Sequence, residues 1–307
     1  MRLPVIIDTD PGQDDAVAIL LALASPELDV RAIVTVAGNV DLARTTANAL
    51  RVVELAGRER VPVHAGADRP LLFPLETASA VCGPDGLAGA GLPPPAGAPA
   101  SGRGVEALIA ALRDSPEKLT ICALGPLTNI ALALRLAPDV AGRIERIALM
   151  GGARDLGNVT PAAEFNFHVD PHAAAIVFGA GVPIVMFGLQ VTQAAVPTGA
   201  ELERLAALGT ASGRAVHGMM ARPRAGRPGP GAYPMHDPCT VAWLLAPELF
   251  SGRDCFVEIE TGPGPLRGRS TIDWNGALKR DANAHVVGSL DARGVFALLT
   301  DRIARLR

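Results

Sequence analysis

Short apolar runs alternate with helical patterns through the first two-thirds of this chain, and this alternation constrains its fold more than any other feature. The predicted strands are Pro4–Ile7, Val30–Val36, Pro62–His64, Leu119–Ala123, Arg146–Met150 and Pro183–Phe187. The predicted helices lie near Ala16–Ala24, Leu42–Leu55, Val105–Leu112, Thr128–Leu136 and Pro171–Phe178. Such alternation predicts βαβ units joined by right-handed crossovers. We therefore expect an α/β fold with a mostly parallel central β-sheet flanked by helices.

The last third of the chain continues the strand signals and closes with a helix. Its predicted strands are Phe256–Glu260, Ser270–Asp273 and Ala284–Val287, and the closing amphipathic helix is Arg293–Leu306. Two segments, Ala88–Gly104 and Arg222–Pro234, are rich in Gly and Pro and are predicted loops. Neither has the length or composition of a linker between independent domains. The sequence therefore predicts a single domain over residues 1–307, built on an open Rossmann-like sheet.

Four carboxylates crowd the turn between the first predicted strand and the first predicted helix. The segment reads Asp8-Thr9-Asp10-Pro11-Gly12-Gln13-Asp14-Asp15. Two carboxylates ~4 Å apart repel by roughly 4 kcal/mol at an effective dielectric near 20, so this turn needs a cation, protonation or divergent side chains. Helix capping and a favourable place in the first helical turn account for one or two of the four. A hard-cation site built from oxygen ligands is the better hypothesis.

Three further polar groups interrupt the apolar pattern at or beside predicted strand ends. They are Gly38-Asn39, the set Asn158, Glu164, Asn166 and Asp170, and the segment His236-Asp237-Pro238. Taken singly they are weak signals, because Asn is common in turns and Asp before Pro is a common helix start. In open parallel sheets, however, ligands bind beyond the carboxyl ends of the strands. The joint order of these groups therefore predicts that they converge on one edge of the sheet.

Composition excludes several classes of protein. Apolar residues make up 49% and charged residues 19% of the 307 positions, so a substantial core can form without disulfides. A formal net charge of −3 gives no indication of binding to nucleic acid or to anionic lipid, which basic proteins favour. The four cysteines are widely spaced, which favours reduced thiols over zinc ligands. The longest apolar stretch, Ile176–Leu189, contains Pro183 and is too short to cross a bilayer. We expect a soluble cytoplasmic protein.

The motifs taken together resemble those of the inosine–uridine preferring nucleoside hydrolase family. The matching motifs are DTDPGxDD (Asp8–Asp15), Asn39, GPLTN (Gly125–Asn129), Asn158 with PAAEFN (Pro161–Asn166), VDP (Val169–Pro171) and HDP (His236–Pro238). The resemblance runs from the first strand to about Asn283, which is nearly the whole chain. The acidic turn is highly specific, and its combination with HDP in the same register is close to diagnostic.

The resemblance implies calcium-dependent hydrolysis of the N-glycosidic bond of ribonucleosides, which yields ribose and a free nucleobase. The implied Ca²⁺ ligands are Asp10, Asp15, the backbone carbonyl of Leu124, and Asp237. Asp10 would also accept the proton of the attacking water, and His236 would protonate the leaving base. Carboxylates near the ring can stabilise an oxocarbenium-like transition state, and imidazole is suited to proton donation near pH 7.

The resemblance also implies a set of substrate contacts. The residues concerned are Asp14, Asn39 and Asn166 for the ribose hydroxyls near the metal, and Asn158 and Glu164 for the 5′-hydroxyl. The segment Arg222–Pro234 leads into His236, and two interpretations of it stay open: a solvated surface loop, or a lid that closes on the nucleobase. If it is a lid, Tyr233 is the residue expected to approach the base. Two positions depart from the family pattern: Cys82 stands where a His is frequent, and Gln190 where an Asp is common. The choice between purine and pyrimidine bases therefore stays open.

Two other functions are compatible with parts of the pattern. A DxD motif after an apolar strand also opens haloacid-dehalogenase-like phosphotransferases, but the Thr expected two residues after the second Asp is here Gly12. Neither Lys118 nor Lys279 leads into the acidic motif of that family. A non-catalytic nucleoside-binding protein would have no need of a water-activating calcium, so the intact set Asp10, Asp15, Asn166 and Asp237 argues against it. A weakly active member of the family is a further alternative. The resemblance further implies a homodimer or homotetramer.

Overall fold

The computed structural model describes residues 2–221 and 233–306. Its strands are β1 (Leu3–Thr9), β2 (Leu28–Thr35), β3 (Val63–Ala65), β4 (Leu119–Ala123), β5 (Ile144–Met150), β6 (Ile184–Phe187), β7 (Phe250–Cys255), β8 (Val257–Ile259), β9 (Ser270–Ile272) and β10 (Ala284–Leu290). In the described residues, eight of these form one sheet in the order β3-β2-β1-β4-β5-β6-β10-β7, and β8 pairs with β9. Neighbours in the large sheet are parallel, except that β7 runs antiparallel to β10.

Helices cover both faces of the large sheet. They are α1 (Gln13–Ala24), α2 (Leu42–Leu55), α3 (Ser79–Cys82), α4 (Gly104–Asp114), α5 (Thr128–Leu136), α6 (Phe165–Val169), α7 (Pro171–Phe178), α8 (Leu189–Thr192), α9 (Gly199–Ala207), α10 (Ala211–Met220), α11 (Pro238–Leu245) and α12 (Ala292–Ile303). Short 3₁₀ turns follow α5 and α11. No helix of the described segments combines the length and apolar character needed to cross a bilayer.

The alternation of side chains along β1 explains why the core has two halves. Val5 and Ile7 point to one face and pack with α1, α2 and the helices from α9 to α12, whereas Ile6 points to the other face and packs with α4, α5 and α7. Because both sides of this parallel strand are covered, residues 5–7 are continuously apolar and do not alternate with polar residues. The expected fold class, an α/β domain with a mostly parallel sheet flanked by helices, is confirmed.

The order of the strands creates a crevice at the centre of the sheet. The chain runs from β1 outward to β2 and β3, and then returns to place β4 on the opposite side of β1. The connections that follow β1 and β4 therefore leave the sheet edge in opposite directions. In open α/β sheets this reversal point is where ligands bind. The acidic turn follows β1, and Leu124 follows β4, so both lie at this crevice.

The sequence prediction missed one strand and two helices of the last third of the chain. The predicted strand Phe256–Glu260 is present as β8, but the edge strand of the large sheet, β7, was not predicted. Most of β7 is exposed, so its residues carry no apolar pattern that could have marked it as a strand. Helices α9 and α10 were not predicted, although Thr198 and Thr210 cap them.

Candidate active site

A cavity of about 90 Å³ opens at the crevice between β1 and β4. Most residues predicted for the site line it together, although they are far apart in the chain. They are Asp14, Asn39, Leu124, Asn158, Glu164, Asn166, Tyr233, His236 and Asp237. Asp10 and Asp15 are fully buried in the adjoining acidic turn. The predicted convergence on one edge of the sheet therefore holds in the structure.

The acidic turn is held in shape by the carboxylate of Asp15. This carboxylate accepts hydrogen bonds from the Thr9 hydroxyl (2.6 Å), from the Gly12 backbone N–H (3.0 Å) and from the Asn39 side-chain amide (3.1 Å). The bond from Gly12 also closes the first turn of α1, where backbone N–H groups lack intrahelical partners. Asp15 thus fixes both the start of the helix and the loop after β2.

The Asp10 carboxylate has one satisfied oxygen and one unsatisfied oxygen. Its Oδ2 accepts the backbone N–H of Asn39 (2.6 Å), whereas its Oδ1 is buried and has no hydrogen-bond partner among the described residues. A Cβ at Gly38 or Gly125 would collide with this carboxylate, so the surrounding backbone approaches as closely as it can. A buried carboxylate oxygen without a donor is costly unless a cation or a proton is supplied.

The remaining acidic side chains crowd against the same place. One oxygen from each of Asp14, Asp15 and Asp237 lies within 4.8 Å of the others. Burial, reinforced by these like charges, raises the pKa of Asp10 and of Asp237 well above the usual range, and raises that of Asp14 to about 7. Oδ1 of Asp237 also has no hydrogen-bond partner in residues 2–221 and 233–306. This is the electrostatic pattern of carboxylates assembled around a cation.

Asn166 connects the ends of two neighbouring strands. Its side-chain amide donates to the backbone oxygen of Leu124 after β4 (2.8 Å) and to that of Met150 at the end of β5 (3.0 Å). Asn166 itself lies in α6, which begins one residue earlier. The carbonyl predicted as a metal ligand is therefore held in a fixed direction. A carbonyl oxygen has a second lone pair that can still bind a cation.

Glu164 and Asn158 shape the loop that closes the cavity. The Glu164 carboxylate caps α6 and accepts backbone N–H groups of Gly152, Asn166 and Phe167 at 2.9 to 3.3 Å. Its burial raises its pKa to about 7 despite these bonds. The Asn158 side-chain oxygen accepts the backbone N–H of Phe165 (3.0 Å). Both side chains line the cavity while they hold the loop together.

His236 and Tyr233 form another part of the cavity wall. Their rings pack edge to face, with centroids 5.7 Å apart and planes at 86°. The Nδ1 atom of His236 lies 2.8 Å from the hydroxyl of Thr192, the last residue of α8. The predicted lid, Arg222–Pro234, lies outside the described residues apart from Tyr233 and Pro234.

Two polar motif residues support the site from outside the cavity. The Asn129 amide donates to the buried Asp8 carboxylate (2.8 Å), whose burial raises its pKa to about 7. Asp170 accepts the Thr128 hydroxyl (2.7 Å) and the backbone N–H of Leu71 (2.9 Å). These bonds anchor the segment that follows Leu124 to the ends of the neighbouring elements.

Residues 5–297 match the family model of the inosine-uridine preferring nucleoside hydrolases. The chain belongs to this family. A pyrimidine-specific ribonucleoside hydrolase, RihA of Citrobacter koseri, is 45% identical over 308 residues that cover 99% of each chain.

Solved structures agree with this assignment. The plant nucleoside hydrolase PpNRh1 has a TM-score of 0.90 at 34% identity, with 99% of both chains covered. A purine-preferring ribonucleoside hydrolase from Gardnerella vaginalis has a TM-score of 0.90 at 29% identity, with 98% of both chains covered. The chain is thus an enzyme of the ribonucleoside hydrolase type, an N-glycosidase, and the phosphotransferase alternative is wrong.

Two features of this nucleoside hydrolase depart from the family pattern, and both have a structural role. The Cys82 thiol donates to the Asn39 side-chain oxygen (3.4 Å), and burial raises its pKa far above the usual range, so it remains a neutral thiol. Gln190 accepts the backbone N–H of Arg154 (3.1 Å) and donates to the Val287 carbonyl (3.0 Å). Neither residue belongs to the acidic cluster.

Sequence reasoning missed several residues that line the cavity of the hydrolase. They are Gln13, Ala78, Val81, Met150, Val159 and Phe165. Apart from Gln13 they are apolar, so nothing in their chemistry separates them from ordinary core residues. Gln13 occupies the variable position of the acidic motif, and its amide donates to the Ala88 carbonyl (2.5 Å). Its place in the motif was the one available signal.

Proposed function

We propose that the enzyme is a calcium-dependent hydrolase of pyrimidine ribonucleosides. One observation supports a bound metal ion. Buried carboxylates converge at the cavity, and two of their oxygens, on Asp10 and Asp237, lack hydrogen-bond partners among the described residues. An oxygen-rich, multiply charged set of this kind suits Ca²⁺.

The residues that would hold Ca²⁺ are Asp10, Asp15, the Leu124 carbonyl and Asp237, and Asp14 is close enough to join them. When bound, the ion would lower the pKa of a water molecule and orient the ribose hydroxyls. Asp10 would accept the proton of that water at its unsatisfied Oδ1, while the Asn39 N–H keeps its Oδ2 in place. Asp10 would thereby act as the general base.

Side chains on opposite walls of the cavity would bind the hydroxyl groups of the ribose. Asp14, Asn39 and Asn166 would bind the 2′- and 3′-hydroxyls, and Asn158 and Glu164 the 5′-hydroxyl. These contacts would hold C1′ in place, which converts binding energy into orientation. The nearby carboxylates would also stabilise the positive charge that develops on the ribose ring.

His236 would donate a proton to the leaving nucleobase. Negative charge accumulates on the base as the glycosidic bond breaks, and protonation removes it. Tyr233, whose ring packs against His236, would exclude water from that side of the cavity. The preference for pyrimidines is supported by the 45% identity to a pyrimidine-specific relative, against 29% to a purine-preferring one.

A panel of nucleoside substrates, assayed with and without a chelator, tests both the preference for pyrimidines and the dependence on calcium. We expect uridine and cytidine to be hydrolysed faster than inosine, adenosine and guanosine, with release of ribose measured as reducing sugar. Treatment with a chelator should abolish activity, and added Ca²⁺ should restore it. Full activity in thoroughly chelated enzyme would rule out the metal role, whereas faster cleavage of inosine than of uridine would reverse the base preference.

Ribose recognition makes a separate prediction. If the 2′-hydroxyl binds Asp14 and the metal site, 2′-deoxyuridine leaves buried polar groups without partners. Such a loss costs about 1–3 kcal/mol per group, or roughly 10- to 100-fold in rate. We therefore expect kcat/KM for 2′-deoxyuridine to be lower than for uridine by at least this factor. Equal values for the two substrates would contradict the assignment of these residues to the ribose.

A further inference from the structure

His236 is connected to the end of β6 by a chain of two hydrogen bonds. Its Nδ1 lies 2.8 Å from the Thr192 hydroxyl oxygen. That hydroxyl in turn donates to the backbone oxygen of Gly188, at 3.3 Å. Thr192 is fully buried, and sequence analysis gave no reason to connect it with the site.

The number of protons available to these two hydrogen bonds determines which atom donates in each of them. A threonine hydroxyl has one proton. Of its two neighbours, the Gly188 carbonyl oxygen (3.3 Å) can only accept, whereas Nδ1 of His236 (2.8 Å) can donate or accept. Both hydrogen bonds form together only when Nδ1 carries a hydrogen and donates to Thr192. In a neutral ring this leaves Nε2 as the atom with the lone pair.

The element that carries Thr192 is well fixed. Thr192 ends the short helix α8, and the backbone N–H groups of Val191 and Thr192 both donate to Gly188. Gln190, in the same helix, bonds to Arg154 and to Val287 on β10. The hydroxyl therefore has little freedom to turn away from His236.

We infer that Thr192 is a positioning residue that keeps a proton on Nδ1 of His236 and confines proton exchange with the leaving base to Nε2. This inference rests on the proposed role of His236 as the acid. For this step the ring first takes a proton from water onto Nε2 and becomes the imidazolium, with a proton on each nitrogen. As the C1′–N bond breaks, its electron pair stays with the base, and the base takes the proton from Nε2. The ring is left neutral with its Nδ1 proton still donated to Thr192. An imidazole held in the other tautomer cannot follow this route, and a wrong tautomer is a severe defect in histidine catalysis.

Two substitutions separate the hydroxyl from the rest of the side chain. Thr192→Val removes the hydroxyl at nearly constant volume, and Thr192→Ser keeps it. We expect Thr192→Val to lower kcat for uridine about 10- to 100-fold, by analogy with the residues that orient metal-ligating histidines. Thr192→Ser should stay close to wild type. Hydrolysis of p-nitrophenyl riboside, whose leaving group needs no proton, should be nearly unaffected in both variants.

A matched control measures the cost of a buried Thr→Val change in itself. Thr120 on β4 is also fully buried, but its hydroxyl has no hydrogen-bond partner among the residues described. Thr120→Val should therefore leave both substrates unaffected. If Thr192→Val slows uridine and p-nitrophenyl riboside equally, Thr192 is merely structural and the inference is overturned.

The tautomer can be observed without measuring activity. In protein labelled with ¹⁵N-histidine, the ring nitrogens of His236 are assigned by their disappearance in His236→Ala, since the chain has only six histidines. When the ring is neutral, we expect a protonated Nδ1 and an unprotonated Nε2 in the wild type and in Thr192→Ser, and a mixture of the two tautomers in Thr192→Val. The opposite tautomer in the wild type would overturn the inference even if His236 is the acid. If His236→Ala affects both substrates alike, the proposed acid role fails, and the inference fails with it.

Discussion

Asp10→Asn is expected to lower kcat for uridine by about 10³-fold or more, because it removes both a general base and a charge from the metal site. The substitution is nearly isosteric. The amide oxygen can still accept the Asn39 backbone N–H, so the loop after β2 should keep its position. The loss should therefore appear in catalysis and in calcium affinity, and not in the fold.

The same variant should be at least as stable as the wild type when both are free of metal. Burial and the neighbouring Asp15 raise the pKa of Asp10, so ionising this carboxyl at neutral pH opposes folding. A neutral amide does not carry that cost. We expect the melting temperature of chelated Asp10→Asn to equal or exceed that of chelated wild type, and its increase on adding Ca²⁺ to shrink.

Asp41→Asn is a suitable control for this experiment. Asp41 caps α2 through its side chain, and Asn caps helices as well as Asp does. It should therefore leave activity and the calcium response unchanged. If Asp10→Asn kept near wild-type turnover, or melted well below the wild type in chelator, the role assigned to the acidic turn would be wrong.

The position of the site could be predicted from sequence because of a property of parallel sheets. Strands that run in the same direction end at the same edge, so polar residues after successive strands meet there. Asp10 after β1, Asn39 after β2 and Leu124 after β4 are brought together in this way, although more than 100 residues separate the first from the last. Their order along the chain and the alternation of elements contain all the information that this inference needs.

The hydrogen bonds that other parts of the chain make to site residues could not be predicted from the order of the strands. Thr192 reaches His236 across 44 residues, and Cys82 reaches Asn39 across 43. Both residues sit in helices of four residues, too short to show a periodic pattern. Their side chains have no chemistry that distinguishes a partner of the site from a core residue. Such contacts depend on tertiary packing, which a single sequence does not encode locally.

His236→Ala is expected to slow hydrolysis of uridine and cytidine by roughly 10²- to 10⁴-fold if His236 protonates the leaving base. The same change should matter far less for p-nitrophenyl riboside, since its leaving group departs as a stable anion. The ratio of the two effects is the informative quantity, because a general distortion of the site would slow both substrates together. Steady-state kinetics on both substrates provide that ratio directly.

The structure gives a reason to expect that the alanine variant keeps its metal site. Backbone N–H groups of His236 and Asp237 donate to the Asp14 carboxylate, and they survive the substitution. Calcium affinity should thus change little, which can be checked by titrating chelated enzyme with Ca²⁺. His285→Ala removes an imidazole that pairs with Asp254 (2.8 Å) on the outer strands, and it should affect neither substrate. An equal loss on uridine and on p-nitrophenyl riboside in His236→Ala would mean that this residue binds the substrate and that the proton comes from another donor.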